Sequence, residues 1–134
     1  MTSTVISDAV NLASRLEGLT KEYKIPLLIS HHTFQRLKNP HNYHIRMIDQ
    51  VKVKGKSELV TVYEIFDAET PKNIERKIKI LPKYEEAMFL YQHKSFQEAA
   101  TLFSECITMN NQDQVSKIYL KRCQDWSSFL QEME

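Results

Sequence analysis

The sequence predicts an α+β fold followed by an all-helical tail, and three observations carry that expectation. From Thr2 to about Asp67 the apolar spacing switches between the helical period and strict alternation. From about Leu81 onward only the helical period remains. Between them, "AETPKNIERKIKILPK" (Ala68–Lys83) is charged, holds two prolines, and reads as a connector. The expected domains are therefore 1–67, a linker at 68–82, and a helical tail at 83–134.

The first helix is expected from Ser7 or Asp8, either an acceptable N-cap, to about Lys21. Ala9, Leu12, Ala13, Leu16 and Leu19 form its apolar stripe. Asn11 and Arg15, four residues apart, fall together on another face. "IPLLIS" follows as a short strand with Pro26 at its start or on an edge. "HHTFQRLKN" reads as a short helix capped by Ser30 or His31 and stopped by Pro40. "YHIRMIDQVKVKG" alternates with Ile45, Met47, Val51 and Val53 on one side, as a half-buried strand does. After the turn "GKSE", the β-branched run "LVTVYEIFD" is a third strand. The tail is expected to hold three helices, near 83–93, 96–109 and 113–131.

Composition removes several classes of function. The 134 residues carry a net charge of +1, so bulk electrostatics favour neither nucleic acid nor an anionic membrane. The apolar runs are far shorter than a membrane span, and "MTSTVISD" lacks the pattern of a secretory signal. Cys106 and Cys123, without CxxC spacing, read as reduced core residues of a cytoplasmic protein. Two glycines, Gly18 and Gly55, cannot build a phosphate-cradling loop. His31, His32, His41, His44 and His93 show no metal-ligand spacing, and Asp8 reads as a helix cap, so no metal ligand is assigned.

"TVISDAVNLASRLE" resembles the helix motif of the class III nucleotide cyclases, the adenylate and guanylate cyclase catalytic domains. The downstream order agrees, and "VKVKGKSELVTVYEIFD" is similar to the family's closing strands. The resemblance implies the C-terminal half of a ferredoxin-like cyclase domain, with about three strands and two helices. It also implies a reaction, ATP to 3′,5′-cyclic AMP and pyrophosphate, assisted by two Mg or Mn ions in the intact domain. Arg15 matches the arginine that stabilises charge on the α-phosphate, a task suited to a guanidinium that stays charged. Asn11 matches the asparagine that orients the ribose. Lys54 matches the lysine at the terminal phosphates. Thr4 falls at the purine-reading position, where threonine accompanies ATP in a bacterial subgroup. Read without the resemblance, Asn11 and Arg15 are a solvated helix face, Lys54 a hairpin-end lysine and Thr4 a strand former.

The family's metal-binding aspartates and adenine-contacting lysine belong to a first half that the resemblance does not cover. The chain is therefore expected to be a fragment that binds no metal and is inactive alone. Its intact parent would take ATP, form a homodimer, and could be membrane-anchored through other segments.

"YEEAMFLYQHKSFQEAATLFSECITMNNQDQ" resembles a single tetratricopeptide repeat, carried by Ala87, Leu90, Phe96, Ala99 and Phe103. Lys94 stands where that repeat has glycine, and Asn111 where it has proline. A single repeat buries its face only against a neighbour, so the third helix is expected to cover it. Bacterial class III cyclases carry similar tails ending in a Y-L-x-R-C run. The alternative reading is a non-catalytic interaction module, in which the tail meets a protein partner and the cyclase half is a remnant.

Overall fold

A computed structural model describes residues 3–52 and 58–133, with side chains from Leu12 onward. The chain divides into two units, Met1–Ala68 and Glu69–Glu134.

In the first unit, helix α1 (Ser3–Tyr23) leads to strand β1 (Leu28–Ser30) and helix α2 (His31–Gln35). A single 3-10 turn (Pro40–Asn42), then β2 (Ile45–Lys52) and β3 (Leu59–Ile65), complete it. The sheet is antiparallel in the order β1-β3-β2, so the most β-branched segment takes the centre. Ser30 caps α2 by accepting from the Thr33 amide at 3.3 Å. Phe34 of α2 stacks on Tyr63 of β3 with ring centroids 4.6 Å apart. His31 Nδ1 lies 2.9 Å from the Tyr63 hydroxyl, whose pKa burial raises.

Two expectations for this unit are corrected. Helix α1 starts at Ser3, so Ser7 and Asp8 are interior rather than caps, and Thr4 is helical rather than extended. Both ladders of the described sheet involve only β1, β2 and β3. A helix satisfies its own backbone, whereas an extended segment needs a partner strand. The alternation in β2 is also out of phase with the expected one. Met47 faces Tyr63 and Asp49 faces Val62, which leaves Ile48 as an extra residue in a β-bulge. The buried residues of β2 are consequently Arg46, Ile48 and Val51, while Ile45 and Met47 are half-buried. Val53 lies outside the described residues.

Arg46 and Glu64 face each other across β2 and β3, Nε to Oε1 at 2.9 Å, both side chains 0% exposed. A buried charge needs such a partner, since desolvation of either ion alone costs several kcal/mol (roughly, after relaxation).

The second unit comprises α3 (Pro71–Gln92), α4 (Phe96–Met109) and α5 (Gln114–Met133). The stretch expected as a connector is helical from Pro71. Thr70 caps it by accepting from the Asn73 amide at 3.2 Å, and Pro71 occupies the first turn, where its missing N–H costs nothing. Lys77 pairs with Glu69 at 2.5 Å over the same turns. Pro82 does lie inside the helix, and tertiary packing of Ile80 and Tyr84 around it outweighs the local penalty.

Tyr84, Ala87 and Met88 of α3 are buried, as are Phe96, Ala99, Phe103 and Cys106 of α4. Tyr84 meets Phe103 edge-on at 6.1 Å, and Phe103 stacks on Tyr119 of α5 at 5.4 Å. The α3–α4 corner is a left-handed helix stop. Lys94 has φ 65°, and Ser95 N donates to Leu90 O at 2.9 Å. A side chain there costs about 1–2 kcal/mol relative to glycine. Both cysteines are free and buried, and burial pushes the Cys123 thiol up to about 11. No described helix is long and apolar enough to cross a membrane.

Candidate functional site

Helix α1 carries three of the four residues singled out in the sequence. Its packed face is narrower than the expected stripe. Leu12 and Leu16 are half-buried and Leu19 and Tyr23 are 0% exposed, whereas Ala13 is exposed. The i, i+4, i+7, i+11 spacing of these four keeps them on one line. Arg15 is exposed and makes no ion pair with another described residue. It has the freedom to meet an anion.

Asn11 precedes Arg15 by one turn of the same unbroken helix. At about 100° per residue, positions 4, 11 and 15 share an arc of about 40° over roughly 16 Å of axis. Thr4, Asn11 and Arg15 thus occupy one side of α1, although the side chains of Thr4 and Asn11 lie outside the description. Lys54 lies outside the described residues altogether. The structure therefore places Arg15 fully and Asn11 by its backbone.

The far end of α1 is tied to the sheet by polar contacts that sequence patterns did not reveal. The Tyr23 hydroxyl donates to Asp49 Oδ2 at 2.6 Å. Asp49 Oδ1 accepts the Gln50 amide at 2.7 Å. Arg46–Glu64 lies on the same strands, at the other end of the bulge. The signal for these residues was present, since charged side chains interrupt apolar alternation in "IRMIDQV". The bulge hid which of them point inward.

Comparison with known proteins gives two kinds of match for this chain. Residues 3–67 match the family model described as the adenylate and guanylate cyclase catalytic domain. Over these residues the chain is similar to that family. The terminal-differentiation-specific adenylate cyclase of Dictyostelium discoideum is 41% identical over 124 residues, 92% of this chain and 6% of its own length. An adenylate cyclase of Anabaena cylindrica is 52% identical over 64 residues, 47% of this chain and 13% of its own. The chain thus spans a small part of each curated relative. Likeness to the Dictyostelium cyclase continues into the helical unit, because 124 residues exceed the first unit alone. No solved structure matches the chain.

Cyclases of this family generally use Mg or Mn ions. Among the described residues no group of three or more His, Cys, Asp or Glu could hold a metal ion.

Proposed function

We propose that this chain supplies the transition-state and phosphate-binding side of an adenylate cyclase active site. The observation that carries this reading is the exposed Arg15, one helical turn from Asn11, in a segment matched to the cyclase family. In the reaction, the ATP 3′-hydroxyl oxygen attacks the α-phosphorus and gives up its proton, the bond to the bridging oxygen breaks, and pyrophosphate leaves. Negative charge builds on the α-phosphate oxygens, and the Arg15 guanidinium donates to them without losing its own proton. Asn11, a neutral amide, holds the ribose so that the 3′-oxygen is aimed. Lys54 meets the terminal phosphates as a point charge. Thr4 contacts the purine, and both relatives named above are adenylate rather than guanylate cyclases.

The helical unit supports a second reading. Trp126, Phe129, Leu130 and Met133 of α5 are all at least 44% exposed at i, i+3, i+4, i+7 spacing, as at a helix–helix contact. That row suits a non-catalytic interaction module in which the tail binds a protein.

A chimera separates the two readings. Residues 3–67 replace the matching segment of the Anabaena cyclase, to which they are closely similar. The chimera is expected to form cyclic AMP from ATP, and much less cyclic GMP from GTP. A folded chimera with no product removes the catalytic reading and leaves the interaction module.

Two copies of the chain are also expected to associate about a two-fold axis. Strand β2 is an edge of eight residues whose outer backbone groups face no described strand. Light scattering on the eluting peak from micromolar to millimolar concentration should give twice the mass of 15.8 kDa. A monomer throughout would overturn this.

A further inference from the structure

Among its described side chains, helix α1 is anchored in its C-terminal half, at the buried Leu19 and Tyr23. Its apolar contacts, Leu12, Leu16 and Leu19, repeat at helical spacing and are non-directional, so they would tolerate rotation or a slide. The hydrogen bond from Tyr23 to Asp49 would not. It is 2.6 Å long, reaches Asp49 Oδ2, and lies at a fully buried tyrosine.

The β-bulge is what makes this bond available. Arg46 and Ile48 are buried, so an unbroken alternation would turn Asp49 to the opposite face. The extra residue instead sets Asp49 opposite Val62, whose side chain is 0% exposed on the buried face. Asp49 and Val51 then continue that face, and Asp49 meets Tyr23 there. The backbone irregularity thus presents a carboxylate to the end of α1.

Arg15 lies eight residues before Tyr23, about 12 Å along the axis. A tilt of about 10° at the anchor would carry Arg15 about 2 Å, and misplacement of roughly 1 Å can cost 10²-fold in rate. We propose that Asp49 is a positioning residue that, through the Tyr23 hydroxyl, fixes the tilt and rotation of α1 on β2. It thereby sets where Asn11 and Arg15 stand relative to the strand that runs toward Lys54. The catalytic meaning of that placement rests on the cyclase reading above, whereas the placement itself can be tested without nucleotide.

The test uses the whole 134-residue chain, with nitroxide labels at Arg15→Cys and Lys52→Cys, both exposed positions of the first unit. Cys106 and Cys123 are 0% exposed and stay unlabelled in the folded chain. Pulsed electron resonance should give one narrow distance. Tyr23→Phe and Asp49→Ala should each broaden it at least twofold, while Asp49→Asn, which keeps an oxygen acceptor, should restore most of the narrow distribution. Val62→Ala is the control for plain destabilisation, and it should lower the unfolding midpoint without broadening the distance. A narrow distance in folded Tyr23→Phe overturns the proposal, as does equal broadening in Val62→Ala. Should Tyr23→Phe not fold, Asp49→Ala against Asp49→Asn decides it by the same criterion. An inactive chimera would leave these distances as they are, so the two failures are distinguishable.

Discussion

Arg46→Ala is expected to cost about 3–5 kcal/mol, enough to unfold most of the first unit at room temperature. The substitution removes the guanidinium bonded to Glu64 Oε1 while leaving that carboxylate at 0% exposure. Water cannot replace the lost partner unless the strands part. The pair also joins the central strand to its neighbour, so the damage should appear first in the β2–β3 ladder. Hydrogen exchange of the amides of residues 45–52 and 59–65 measures this directly, with the helical unit as internal reference. Replacing both residues, Arg46→Met with Glu64→Leu, should be much milder than either single change, because no buried ion remains. A loss below about 1 kcal/mol for Arg46→Ala would show that the pair is solvated in practice.

Arg15→Ala, introduced into the active chimera, is expected to lower turnover by about 10²–10³-fold. The side chain is exposed and bears no structural load in the described unit, so the unfolding midpoint should stay unchanged. KM should change far less than kcat, since the guanidinium is matched to charge that develops only as the bond to pyrophosphate breaks. Arg15→Lys should recover part of the rate, because it restores the charge but not the planar set of donors. Steady-state kinetics with ATP reads both quantities. An effect below about threefold would remove Arg15 from the mechanism.

Much of this molecule was legible in its residue order. The switch from mixed to purely helical periodicity foretold an α+β first half and three further helices. "SDAVNLASRLE" and "VKVKGKSELVTVYEIFD" carried the cyclase resemblance, and the family match over residues 3–67 agrees with it. The four-residue interval between Asn11 and Arg15 was enough to put them on one helix face, since 3.6 residues make a turn wherever the helix lies.

What the order of residues could not show depended on partners distant in the chain. Thr4 reads as a strand former, yet the described sheet pairs only β1, β2 and β3, and the helix extends to Ser3. The prolines of the expected connector read as breakers, yet Pro71 falls in a first turn capped by Thr70. In "IRMIDQV" period-two reading assigned Ile45 and Met47 to the buried face, and a single extra residue at Ile48 reversed the assignment. That same reversal buries Arg46 against Glu64 and presents Asp49 to Tyr23, contacts spanning 18 and 26 residues. Local sequence determined the three strands and the body of each long helix, together with the four-residue spacing that puts Asn11 and Arg15 on one helix face. Tertiary structure alone decided the bulge and the ion pair, because each is stable only when strands remote in sequence exclude water from both sides of it.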